Sequence, residues 1–203
     1  MAEKSAVLEE SGVVSLLGLA VSRDRVSLSA ALLSRNPLER LVAAVNLSTP
    51  LDSIRAVEND SDRCIGTAAK NTIEMFSVRA LSKRLEALKF RFPESSIEFE
   101  LITTSEESLI RRKVKEGHAG ERFRIALNLN TPYDCLCQLC SEDEKVPNVK
   151  RAARSTKSLF EIGALKQRLL SVRGLASVDY KDELEELLDG LKEVEEAKDR
   201  LRR

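Results

Sequence analysis

The chain has 203 residues, 42% of them apolar, and its 33 Lys and Arg balance 33 Asp and Glu. That balance excludes a global field that would gather nucleic acid or an anionic membrane, so any steering must come from local patches. Aromatic residues make up only 4% and Trp is absent, so Leu, Val, Ile and Ala must fill the core.

The longest apolar run, Gly12 to Val21, is about half of the ~20 residues a bilayer span needs. The acidic Glu9 and Glu10 before it are wrong for a secretory signal, and an acidic start is wrong for a mitochondrial presequence. The expected setting is intracellular, cytoplasmic or nuclear, with no membrane span. The sequons at Asn46 and Asn59 are then expected to stay unmodified, and Cys64, Cys135, Cys137 and Cys140 to be reduced thiols.

The first ~90 residues read as helices. Val7, Val14, Leu17 and Val21 form one stripe, and Leu28, Ala31 and Leu32 begin another. Asn36-Pro37-Leu38-Glu39 places a capping Asn before a Pro at the first helical position, and Thr49-Pro50-Leu51-Asp52 repeats that logic. Short helices over Pro37 to Leu47 and Pro50 to Val57 follow. After the loop Asn59 to Asp62, a longer helix is expected from Ala68 to Leu88, although its middle, Thr72 to Val78, is rich in strand-formers.

The period then changes. Ile97, Phe99 and Leu101 alternate with Glu98 and Glu100, and Phe123, Ile125, Leu127 and Leu129 alternate with Arg122, Arg124 and Asn128. These patterns predict two half-buried strands with complementary polar faces. A helix over Ser105 to Glu116, capped by Ser105, is expected between them, closed by the loop Gly117 to Gly120. The pair is either a β-α-β crossover or antiparallel strands with a helical insertion.

Ser141 to Pro147 reads as a charged linker. From Lys145 to Arg173 the charges are basic but for Glu161, and past Gly174 acids outnumber bases. Leu159, Ile162, Leu165, Leu169 and Val172 stripe the first of these helical stretches, and Leu184, Leu187, Leu191, Val194 and Leu201 the second. Two such helices either fold on each other or seek a second chain, as in a short coiled coil. Neither an internal repeat nor a low-complexity segment is read.

The expected fold is therefore α+β and helix-dominated: a helical domain over residues 1–92, a small two-stranded unit with an inserted helix over 93–140, and a linker with a helical hairpin over 141–203.

Candidate sites are few. Cys135, Cys137 and Cys140 crowd into six residues and would need Cys64 or His118 as a fourth ligand, whereas structural zinc prefers two separated pairs. With Leu136 and Leu139 beside them, buried core thiols are the better reading, so no metal and no other cofactor is inferred. His118, the single histidine, has no matching nucleophile pattern around it, and Gly117-His118-Ala119-Gly120 matches no phosphate-binding fingerprint. Neither catalytic residues nor a small-molecule ligand is inferred. Arg111, Arg112, Lys113 and Lys115, together with Lys150, Arg151, Arg154 and Lys157, form basic runs that could grip a nucleic-acid backbone, without aromatics to stack bases. Leu184, Leu187, Leu191, Val194 and Leu201 are the candidate partner-binding stripe. The expected function is a non-enzymatic subunit or adaptor, a scaffold component that meets other protein subunits through amphipathic helices. The alternatives are a nucleic-acid-associated component using the basic runs and, last, a small enzyme.

Overall fold

A computed structural model describes residues 16–89 and 99–201. Among the described residues every regular element is a helix. The helices are α1 (residues 16–21), α2 (Arg25–Ala31), α3 (Pro37–Val45), α4 (Leu51–Ala56), α5 (Arg63–Met75), α6 (Val78–Ala87), α7 (Phe99–Thr103), α8 (Glu107–Glu116), α9 (Ala119–Leu127), α10 (Tyr133–Cys140), α11 (Pro147–Ser158), α12 (Ile162–Val172) and α13 (Lys181–Leu201). They form two compact units: residues 1–73 with 161–203, and residues 74–160.

The α+β expectation is overturned. Residues 99–103 of the first expected strand are α7, and the second is α9 with the turn that follows it; residues 96–98 lie outside the described residues, as do Val7 and Val14 of the first stripe. The error has a physical cause. α9 packs against α7, α8, α10 and α11, so Phe123, Ile125, Ala126 and Leu127 are buried on more than one side. A short helix wrapped by neighbours carries apolar residues all round, and two interleaved arginines are enough to imitate a period of two. The long helix expected over Ala68 to Leu88 is also two helices. Ser77 breaks it, its hydroxyl accepting the Ala80 N–H at 3.1 Å as the cap of α6.

A repeat links the two units. Asn46-Leu47-Ser48-Thr49-Pro50 recurs as Asn128-Leu129-Asn130-Thr131-Pro132, 82 positions on, and the recurrence extends over α1 to α5 and α7 to α11. Buried Leu28, Leu32, Leu41, Ile54 and Val57 have the buried counterparts Ile110, Val114, Phe123, Leu136 and Leu139. Past α10, a helix two residues longer than α4, Ile65, Ala68, Ala69 and Thr72 match Val149, Ala152, Ala153 and Thr156, again all buried. Each unit thus contains one copy of the same five-helix element.

Polar bonds repeat as faithfully as the core. The Asn46 amide donates to the carbonyls of Ala20 and Ser22, each at 3.1 Å, at the end of α1. Asn128 donates to Leu101 and Thr104, at 3.1 and 2.8 Å, at the end of α7. Each Asn so satisfies carbonyls that a helix end leaves without partners. Its own oxygen accepts an N–H two residues on, from Ser48 or Asn130. Thr49 and Thr131 then bond back to the carbonyls of Ala43 and Ile125, at 2.7 and 2.6 Å. These hydroxyls face backward, so Pro50 and Pro132 take the N-cap positions of α4 and α10 and neither helix has a side-chain cap.

Arg40 and Arg122 form the second repeated device. Arg40 grips Asp60 in a fork (3.0 and 3.4 Å) and donates to the Ser34 carbonyl. Arg122 grips Glu144 (2.8 and 3.2 Å) and donates to the Gly117 carbonyl. The carboxylates in turn accept the N–H of Asp62 and of Val146, both at 2.9 Å, just before α5 and α11. One arginine therefore fixes two loops of its copy, by a bidentate geometry that lysine could not reproduce.

The first unit alone adds α12 and α13. These two helices pack together, and α12 lies against α3. Leu165, Leu169, Val172, Leu184, Leu187, Leu188 and Leu191 join the core of α1 to α5. Of the two arrangements open to these helices they adopt the mutual one: Lys166 reaches Glu195 at 2.5 Å and Arg173 bonds Glu185, while Lys198 and Glu161 pair in the opposite sense. Arg168 donates to the Val45 carbonyl at 2.8 Å, at the end of α3, and its burial brings its guanidinium down to about 10. The hairpin thereby covers one flank of the helical repeat, the role that a terminal cap plays in repeat proteins.

Candidate functional site

The expected partner-binding stripe is largely internal. Leu184, Leu187 and Leu191 are 0% exposed in the core of the first unit, Val194 is half-buried, and Leu201 is exposed.

The basic residues of α8 face acids of their own unit. Arg111 bonds Glu107 at 2.7 Å and Asp134 at 2.6 Å, and these contacts raise its basicity while holding Asp134 below the usual carboxylate range. Lys113 bonds Glu121, and that bond, followed by the His118 N–H, depresses the Glu121 carboxyl. Arg112 and Lys115 are exposed. On α11, Lys150 lies 3.7 Å from Glu142 and Lys157 stands 5.6 Å over the Tyr133 ring, while Arg151 and Arg154 are exposed. An electrostatic grip on phosphates wants cations presented together, whereas half of the α8 run is matched by carboxylates.

The thiols are spread out in the same way. Cys135 is buried, Cys140 half-buried and Cys137 exposed on α10, and among the described residues no group of His, Cys, Asp or Glu is arranged to hold a metal ion. Cys64 lies in the other unit, buried and donating to the Val172 carbonyl at 3.4 Å; burial pushes its thiol up to about 11. His118 is a helix cap: its Nδ1 accepts the Gly120 N–H, and Glu121 returns the bond to the His118 N–H. It occupies the place of Asn36 in the first copy, which caps α3 through a 2.8 Å bond to the Leu38 N–H. No described helix is long and apolar enough to cross a membrane.

Sequence reasoning passed over the outward side of α2 and of the turn that follows it, which carries exposed apolar side chains. Val26 is 77% exposed and Leu33, just past the C-terminal end, 82%; Ala30 between them is exposed too. Beside them a shallow cleft of about 550 Å³ runs between α1, α2 and α3, lined by Gly18, Leu19, Ser22, Ser27, Ala30, Ala31 and Glu39. Asp24 starts α2, its carboxylate bonded to the Ser27 hydroxyl and to the N–H groups of Ser27 and Val26, which together hold it below its ordinary range. The spacing of Val26, Ala30 and Leu33 was visible in the sequence. The other side of the same helix, Leu28, Ala31 and Leu32, supplied the stripe that the core needs.

No family model matches the chain, and neither a curated protein nor a solved structure is significantly similar to it.

Proposed function

We propose that this protein is a non-enzymatic adaptor built on a duplicated helical element, working inside the cell, in cytoplasm or nucleus, by holding other protein subunits. The observation that supports this reading is the repeat itself. Two copies keep their core, their Asn elbows and their Arg forks while their outer faces diverge. Helical repeats of this kind use a constant interior to carry a variable exterior, and proteins are the usual ligands of such surfaces. Nucleic-acid contact through Arg112, Lys115, Arg151 and Arg154 is less well supported, because Arg111 and Lys113 are engaged with Glu107, Asp134 and Glu121.

The test is purification of the native protein from its source after mild cross-linking, followed by mass spectrometry of whatever remains bound in stoichiometric amount. A defined protein partner is expected, in a complex indifferent to nuclease. A protein recovered alone overturns the adaptor reading. Release of the complex by nuclease, with salt-dependent retention on nucleic acid, replaces it with the nucleoprotein one.

A further inference from the structure

The repeat runs one helix further than its five-helix core. Thr72 and Thr156 are 84 positions apart, and at that spacing Ala80, Leu81, Arg84 and Leu85 of α6 return unchanged in α12 as Ala164, Leu165, Arg168 and Leu169. Leu81 and Leu88 are buried, as are Leu165 and Val172 in the matching places. α6 belongs to the second unit and α12 to the first, so each copy is joined by one helix of this pair. α12 packs in turn against α13. The next described helix after α6 is α7, which opens the second copy, so the chain supplies α6 with no counterpart of α13. The matching positions are more open on α6. Val78 is 57% exposed where Ile162 is half-buried, and Leu85 is half-buried where Leu169 is 0% exposed.

The charges show what cover this face suits. Glu195 of α13 reaches Lys166 at 2.5 Å and lies so near Gly163 that a side chain there would push its carboxylate aside. On α6 these two places are Ser82 and Arg79. The cation has moved about one turn along the helix and still stands where a carboxylate like that of Glu195 would arrive. Arg173, which bonds Glu185, is matched by Lys89, and Arg79 and Lys89 are both exposed. Glu86, the one acid of α6, takes the place of Leu170, which stays 36% exposed beside α13. Arg84 adds an independent sign. The Nε of Arg168 donates to the Val45 carbonyl at 2.8 Å, whereas the buried Nε and Nη1 of Arg84 have no hydrogen-bond partner among the described residues. α6 is seated less completely than its counterpart, as a helix without an α13 would be.

A second copy of this chain could supply the cover only by opening itself, because Leu184, Leu187 and Leu191 of its α13 are 0% exposed in its own core. A helix of another protein carries no such cost. We propose that the outer face of α6, formed by Val78, Arg79, Ser82, Leu85 and Lys89, is a docking site for an amphipathic helix of a partner protein built like α13, with a leucine stripe and carboxylates at the places of Glu185 and Glu195. This rests on the adaptor reading and gives it a surface and a partner chemistry.

The test uses the full chain and a synthetic peptide with the sequence of α13, Lys181 to Leu201. The peptide should bind, lose affinity as salt rises, and slow amide exchange in α6. The comparison variant is Arg79→Glu with Lys89→Glu, and Arg79→Glu alone serves if the double variant does not fold. The peptide should bind the variant at least about tenfold more weakly, a difference of about 1.4 kcal/mol. A peptide carrying Glu185→Lys with Glu195→Lys should prefer the variant to the unmodified protein. A peptide that does not bind, binds both proteins equally, or protects α12 in place of α6 overturns this site, as does a reversed peptide without that preference. Each of these leaves standing the adaptor reading, which recovery of a partner from the source decides. A dimer seen by sedimentation and abolished by the variant also overturns the site as proposed, by giving the face to a second copy.

Discussion

At the scale of single residues, one buried asparagine in each unit ties a helix end to the turn beside it. Asn46 and Asn128 are 1% exposed, and each bonds two carbonyls and one N–H. A buried carbonyl left without a donor costs about 1–3 kcal/mol, so Asn46→Ala or Asn128→Ala should lower stability by roughly that amount. Replacement by Asp should cost more, since it turns a carboxylate oxygen toward two carbonyls. Urea unfolding measures both, and an Asp variant as stable as the original protein would show that the elbows are incidental. Glu144 makes a pH-dependent contribution. Its burial works to raise the carboxyl, but the Arg122 fork and the Val146 N–H more than offset that and hold it below the ordinary range. A folded value below the unfolded one stabilises the fold above the unfolded value of about 4.3 and is lost as pH falls through the folded value. The melting temperature should therefore exceed that of Glu144→Gln by most near neutrality, and the gap should close below about pH 4. A gap that stays constant with pH would mean that the Arg122 bonds do not depend on the charge.

At the scale of elements, the sequence was readable wherever the signal is local. Asn36-Pro37 does start α3, because capping and a fixed proline φ act within one turn. The charge complementarity of α12 and α13 was visible as well, since ion pairs follow from composition once two stripes face each other. What failed needed partners. Whether Phe123, Ile125 and Leu127 line a strand or a helix depends on how many neighbours enclose them. The repeat was hidden because its core conserves burial rather than identity: Leu41 becomes Phe123 and Ala43 becomes Ile125. The residues that stay the same, among them Asn46 and Asn128, Thr49 and Thr131, Arg40 and Arg122, and Ala68 and Ala152, are few and scattered. The α2 surface was hidden for a related reason, since exposure is a property of the packed helix. The ion pairs of α8 carry a prediction of their own. Because Arg111 and Lys113 are bonded to carboxylates, the double change Arg111→Glu with Lys113→Glu should lower the melting temperature by repulsion from Glu107, Asp134 and Glu121. Exposed pairs are worth about 0.2–1 kcal/mol each, so the loss should be modest but measurable. Arg112→Glu with Lys115→Glu should change it little. If the second pair costs more than the first, the ion pairs do not stabilise this unit.

At the scale of the whole molecule, the two units have separate cores and differ in what completes them. The first draws on α12 and α13, from the far end of the chain. Leu184, Leu187 and Leu191 are 0% exposed there and Leu188 is 6% exposed. Fully burying one leucine is worth about 1.5–3 kcal/mol, so losing these four removes at least about 6 kcal/mol, comparable with the entire margin of about 5–15 kcal/mol that holds a domain folded. A chain ending at Gly174 also leaves Leu165 and Leu169 uncovered. Hydrogen exchange on that truncated protein should show protection lost from α2 to α5. The second unit keeps Ile110, Ile125, Leu136 and Val149 buried among its own helices, so α8 to α11 should stay protected. Protection retained in α2 to α5 would show that the first copy folds without its hairpin. Loss throughout α8 to α11 would show that the second copy depends on the first, and that the pair unfolds as one cooperative body rather than two.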